Sequence, residues 1–449
     1  MTPSPRPRSI TGPLLVVFIG LLFLVNNLWP EAFSLARIGD YWPFLLIAAG
    51  LIGLVEVLYH ASRGVTPPPR IFYGAGIFWI LVIGLIISTA SRNHNWHFGR
   101  LDNPGVSIFG SDYEYDVNLT QSARGVNRIV IDNLRGNLSL KGQSGGDVQV
   151  TGRKTVRAFN QNDADRADRQ TQVHVERQGD SLVIRTDEFS GPRMIRISAD
   201  LDITVPAGIS IESRGRNGDL TVDEVEGPIE VSGGRGDIRL NHIAKDVKIE
   251  SSRSGDIHVT DSKGGVELEG RGSDIQMENI SGPVTVNGEF AGTLEFRALA
   301  QPLRFTSQRT EFHAEAIPGS VTIDLGDINL QDVTGPVRFR TGVRDIKATD
   351  ITGGVDLMVD RGDIEITATK LPLSKIDAHT HNGDIVVALP AKSEFQIDGS
   401  TAQGDGLNDF GAGVKQESSG HSATIRGQVG TGPLITIETD RGMITLKKS

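Results

Sequence analysis

Aspartate recurs along this chain at a spacing that could build a row of acids. Asp219, Asp237, Asp256 and Asp274 are separated by 18, 19 and 18 residues, and Asp327, Asp345 and Asp363 by 18 and 18. Carboxylates repeated at fixed intervals could ligate calcium or act as general acids and bases along an extended substrate. Each of them, however, belongs to one phrase: GDLTV at Gly218, GDIRL at Gly236, GDIHV at Gly255, SDIQM at Ser273, GDINL at Gly326, RDIKA at Arg344, GDIEI at Gly362 and GDIVV at Gly383. Turn chemistry accounts for the pairing more directly. Glycine takes the positive φ of a tight corner, and the aspartate after it can hydrogen-bond its own turn backbone. A calcium-binding nonapeptide needs G-G-x-G-x-D, and Gly233-Gly234-Arg235-Gly236-Asp237 is one residue short.

Other residues with chemical potential are set against the same pattern. His379 and His381 share a strand face near Asp384, which suits either a metal ion or a solvated surface; the solvated surface is the simpler reading. Arg235-Gly236-Asp237 and Arg361-Gly362-Asp363 spell an integrin-type tripeptide, but both fall on the recurring phrase, with arginine in a variable slot. Glu56 lies near the end of an apolar segment, where it reaches water more readily than the centre of a bilayer. His94 and His97 flank Trp96 and suit interfacial anchoring. No catalytic residue, cofactor-binding residue or metal ligand is assigned, and no cofactor is expected. The absence of cysteine excludes thiol catalysis and cysteine-ligated zinc. Neither a phosphate-cradling Gly-Lys-Ser loop nor a basic, aromatic-rich nucleic-acid surface is present, so nucleic acid is not an expected partner.

The elements that carry these residues follow from the period. Between Gly-Asp phrases stands a second phrase: EGPIEV at Glu226, GGVELE at Gly264, SGPVTV at Ser281, TGPVRF at Thr334 and GGVDLM at Gly353. The unit is therefore two half-units of about nine residues, each an alternating strand and a glycine corner. Alternation places Ile238 and Leu240, or Ile257 and Val259, on one buried face. The expected fold is an all-β repeat domain, a two-sided parallel β-solenoid, preceded by an α-helical transmembrane region. Roughly ten coils between Ile209 and Pro390, about 4.8 Å apart, give a rod on the order of 50 Å long. Segment 290–320 keeps alternation without the phrase and reads as degenerate coils. QNDADRADRQ at Gln161 predicts a short helix, VHVERQGDSLVIRT at Val173 a hairpin, and PLITIETDRGMITLKKS at Pro433 a second hairpin that closes the rod.

The first hundred residues differ in kind. They hold seven arginines against Glu31, Asp40 and Glu56, whereas the remainder carries 38 basic and 52 acidic residues. The overall charge of −10 thus hides two regions of opposite sign. The expected order is a cytoplasmic tail over 1–12, three hydrophobic helices over 13–29, 41–59 and 71–90, a linker over 91–124, and the β domain over 125–449. About 20 apolar residues span a bilayer, and Ile71–Ala90 is the clearest span. Arg6 and Arg8 precede the first segment, and Arg63 and Arg70 lie between the second and third, which places the N-terminus inside and the β domain outside.

GPLLVVFIGLLFLVNN followed by YWPFLLIAAGLIGLVE resembles the Lia-type transmembrane region of bacterial envelope-stress proteins. The GDIxV repeats, VPAG at Val205 and GPLITIETDRGMITL resemble the putative-adhesin domain of unknown function in bacterial membrane proteins. The resemblance implies a multi-pass protein of the bacterial cytoplasmic membrane with an extracytoplasmic solenoid. Such a protein would act as a non-enzymatic binding, adhesion or scaffold module, with the lipid bilayer and an envelope protein or glycan as partners. Two alternatives are an envelope-stress regulator working through a membrane partner and a polysaccharide-active enzyme. Because the repeat itself explains the aspartates, a local function is expected where the phrase fails, in 290–320 and 395–430.

Overall fold

The computed structural model describes residues 110–449 apart from 134, 192–193, 216 and 253–254. The three apolar segments, with Glu56, His94, Trp96 and His97, lie outside the described residues. Among the described residues no helix is long and apolar enough to cross a membrane.

Each phrase opens a strand. Leu220–Asp223, Ile238–Ile243, Ile257–Ser262 and Ile275–Ile280 stack in one sheet; Ile229–Ser232, Val247–Ser251, Val266–Gly272 and Val284–Phe290 stack in the other. Between residues 209 and 390 each sheet receives ten strands, as the period predicts. Neighbours pair in parallel one repeat apart: Ile238 faces Leu220 and Ile257, and Val266 faces Val247 and Val284. Like side chains therefore stack on like. The inward Ile, Val and Leu residues of both sheets form one continuous core, each contributing about 2 kcal/mol by leaving water. The first sheet has 16 strands. The second follows a single path from Val173–Gln178 to Val414–Ser419 that never returns to its start, so it is open at both ends.

The segment expected to be degenerate coils is instead a coil wound backwards. Thr310–Ala314 runs antiparallel to both Leu303–Thr306 and Val337–Val343. Ile317–Ile323 runs antiparallel to both Leu294–Leu299 and Asp327–Gln331. Two hairpin turns cause the reversal. In the first, the Ser307 N–H donates to the Thr310 carbonyl at 2.9 Å and the Thr310 N–H donates to Ser307 Oγ at 3.0 Å. In the second, the Asp324 N–H donates to the Asp327 carbonyl at 2.9 Å. Alternation fixes which face a side chain takes and carries no information on strand direction, so the sequence pattern is the same for either winding.

The ends depart from a simple solenoid too. Leu434–Arg441 and Ile444–Lys448, expected to form a hairpin, lie in different sheets and make a regular coil. That coil is inserted between Ile376–Asn382 and Phe395–Gln403 in one sheet, and between Ile385–Leu389 and Gly406–Asn408 in the other. The Asp440-Arg441-Gly442 corner resembles the inner corners closely enough to stack on them. Closure is left to Phe395–Gln403, Ser422–Val429 and Val414–Ser419, which pair antiparallel. The N-terminal end mirrors this: Arg128–Asp132 fits between Ser181–Thr186 and Ser210–Ser213. Beyond it, Ser111–Ser122, Asp147–Ala158 and Arg196–Pro206 form an antiparallel layer. The expected hairpin pairs Val173–Gln178 with Ser181–Thr186. The expected helix spans Gln161–Gln170, capped by Asn160 and held by the buried Lys154 ammonium, which donates to the Asp168 and Thr171 carbonyls.

Candidate functional site

The recurring aspartates form a ladder, though a different one from the expected turn bond. Apart from Asp327, each of these carboxylates accepts from the backbone N–H of the next coil and not from its own turn. Asp219 Oδ1 accepts from Asp237 N–H at 3.0 Å, Asp237 from Asp256 at 3.1 Å, Asp256 from Asp274 at 3.3 Å and Asp274 from Thr293 at 2.8 Å. A second run links Asp345 to Asp363 at 2.8 Å, Asp363 to Asp384 at 2.8 Å and Asp384 to Met443 at 2.7 Å. The N–H bond from Asp256, with the Arg239 guanidinium, holds Asp237 below the usual carboxylate range. Close approach requires glycine before the aspartate: a Cβ on Gly218, beside Asp219, would stand 2.0 Å from the Gly136 carbonyl oxygen, at a φ of +136°.

The ladder absorbs several sequence candidates. Both Arg-Gly-Asp tripeptides have their aspartate committed to it, at Asp237 and Asp363. Asp384 is likewise a ladder member. His379 and His381 stack edge to face at 5.2 Å and pair with Glu438 at 3.5 Å and Asp440 at 3.2 Å on the inserted terminal coil. Among the described residues no three His, Asp or Glu side chains are placed to hold a metal ion.

A second corner series carries no glycine signal. Glu224, His242, Asp261, Asn279, Ala298, Asp332 and Asp350 all adopt φ between +48° and +58°. The turn lets residues on both sides of it face the core, as Leu240 and Ile243 do around His242. His242 bridges Asp223 at 3.0 Å and Asp261 at 3.5 Å, and the hydrogen bond it donates to the Asp223 carboxylate raises its pKa.

Among the concavities of the described residues, two bring charged side chains of both signs together. An open groove of about 740 Å³ crosses the outer face of the first sheet, where Asp116, Asp202 and Asp219 face Arg153 and Arg239 beside Ser139 and Thr221. A more enclosed pocket of about 260 Å³ lies at the backward coil. Leu294, Phe305 and Ile323 line it from the core, with half-buried Phe290 beside them. Ser307, Arg309 and Thr310 of the first hairpin line it too, as does Glu289, whose carboxylate accepts from the Gln308 N–H at 2.7 Å. Arg344 completes it, occupying the slot that glycine fills in most phrases. Burial pushes its guanidinium below the ordinary value, and Asp324 offsets this only in part. Sequence reasoning pointed at 290–320 and missed Arg344; its one signal was an arginine standing at a corner position in RDIKA.

The chain belongs to the Toastrack DUF4097 family, whose model matches residues 126–447. No curated protein matches it. Among solved structures it is similar to a putative cell adhesion protein from Clostridium sporogenes at 8% identity, covering 76% of this chain and 100% of that one with a TM-score of 0.16. It is also similar to a putative adhesin from Bacteroides fragilis at 14% identity, covering 75% of this chain and 97% of that one with a TM-score of 0.27. The family membership rests on the family model and not on these structures.

Proposed function

We propose that the β domain is a non-enzymatic binding and scaffold module, held at the outer face of a bacterial cytoplasmic membrane by the apolar segments over 13–90. The observation that carries this reading is the corner ladder. It spends the most regularly placed acids on joining coil to coil, and leaves two long sheets presenting outward polar side chains on a fixed lattice. Such a surface suits an extended partner, an envelope protein or a glycan. The groove flanked by Asp116 and Arg239 is the concave part of that surface. The apolar segments and the arginine distribution around them support the membrane placement. Protease added to spheroplasts tests it: the β domain should be degraded from outside, and protection until lysis would overturn the placement. Immobilised full-length protein should retain envelope glycan or protein without turning it over; release of glycan fragments would assign an enzyme instead.

A further inference from the structure

We propose that the pocket at the backward coil binds a small monocarboxylate with a short apolar body, and that Arg344 is the residue that receives the carboxylate. This goes beyond the scaffold reading and does not depend on it. Elsewhere in the fold, corner residues meet the next coil and are used up by the ladder. Here the two hairpin turns interrupt the corner stack between Thr293 and Arg344, and Phe290, Leu294, Phe305 and Ile323 line the opening. Among the described residues the Arg344 guanidinium makes no hydrogen bond or ion pair, and the attraction it feels comes from Asp324. A partly desolvated cation without a partner is unfavourable unless something supplies the counter-charge. A guanidinium matches a carboxylate with two parallel hydrogen bonds.

The surroundings set the rest of the ligand's chemistry. Arg309 adds a second positive charge at the pocket, while Glu289 and Asp324 add two negative ones. Counted with Arg344, the four charges sum to zero, so the site accommodates one added negative charge more readily than phosphate or a polyanion. Half-buried Phe290 offers the apolar face for a short body, over a floor of Leu294, Phe305 and Ile323 that is itself almost wholly covered. The neighbouring turn residues Leu325 and Val343 are 78% and 63% exposed, which extends apolar surface outward from the same corner.

The test is calorimetric titration of the detergent-solubilised full chain. The probes are 3-phenylpropanoate, its uncharged amide, acetate and inorganic phosphate, and circular dichroism confirms the fold of each variant. The expected result is saturable binding of 3-phenylpropanoate, weaker binding of acetate, and none of the amide. Arg344→Gln should weaken binding at least about tenfold, the worth of a charge-assisted hydrogen bond. Arg344→Lys should restore part of it. Equal affinity in wild type and a folded Arg344→Gln variant, absence of saturable binding, or phosphate binding tighter than 3-phenylpropanoate would overturn the proposal.

Discussion

The regular coils and the backward coil are built from the same alternating strands, yet only the regular coils are self-sufficient. In them the aspartate of each Gly-Asp phrase meets an amide of the next coil, and the glycine before it admits a carbonyl at a distance no side chain permits. At the backward coil both devices lapse. Gly326 would meet nothing within 4 Å if it carried a Cβ, Asp345 N–H turns to the Gly326 carbonyl at 3.1 Å, and the Arg344 guanidinium has no hydrogen-bond partner among the described residues. The repeat makes a surface, and the interruption makes a cavity. A binding pocket needs groups that folding has not already satisfied, and the interruption provides one in the Arg344 guanidinium.

The sharpest break in that comparison comes from the inserted terminal coil. Deleting residues 434–449 leaves Ile376–Asn382 and Phe395–Gln403 without the strand that joins them. The C-terminal coils should lose their cooperative thermal transition and become protease-sensitive, while the N-terminal coils persist. An unchanged melting profile would show that the insertion is dispensable.

Glycine substitutions separate the two regions next. Gly218→Ala should cost on the order of 3 kcal/mol or more, because its Cβ would meet the Gly136 carbonyl oxygen at 2.0 Å. Gly326→Ala should stay within about 0.5 kcal/mol. Chemical denaturation of both variants measures the contrast, and similar losses would erase it.

The carboxylates should behave in parallel. Asp237→Ala should cost about 1 kcal/mol near neutral pH, a modest figure because its side chain is 30% exposed. The folded pKa of Asp237 lies below its unfolded value, so its contribution is present above that unfolded value, about 3.9. It fades as pH falls through the folded value, and the variant and wild type should converge in acid. Asp327→Ala, outside the ladder, should cost less near neutral pH, since the Asp345 N–H donates to the Gly326 carbonyl instead. Arg344→Met should leave the melting temperature unchanged or raise it, since it removes an unpartnered, partly desolvated charge. A clear loss of stability would mean that Arg344 has a structural partner.

The smallest effect belongs to His242. Its folded pKa is raised, so its pairing with Asp223 and Asp261 stabilises below the unfolded value of about 6.5 and is lost as pH rises through the folded one. His242→Gln should melt slightly below wild type at pH 5.5 and level with it at pH 9. A gap of equal size at both would exclude titration as its source.

How far these features could be read in advance depends on whether a residue type encodes them. The 18-residue step, the inward Ile and Val positions and the glycine corners are legible because alternation and positive φ leave a residue signature. The second corner series is only half legible: histidine, aspartate and asparagine tolerate its backbone, but Glu224 and Ala298 adopt it under the constraint of the stack. The Asp237 carboxylate was recognisable as corner chemistry. Its partner, the Asp256 amide of the following coil, was not, because the bond spans 19 residues and exists only once the coils stack.

By itself, then, the sequence determined the repeating strand and corner, the buried face, the helix at Gln161–Gln170 and the place where regularity fails. Those properties are local, set by period and by the backbone freedom of particular residues. The winding direction of the coil between Leu294 and Gln331, the insertion of Leu434–Lys448 between earlier strands, and the exposure of Arg344 to a cavity were decided by tertiary structure alone. Strand order and direction depend on which edges meet in space, and a two-residue alternation is identical whichever way the strand runs.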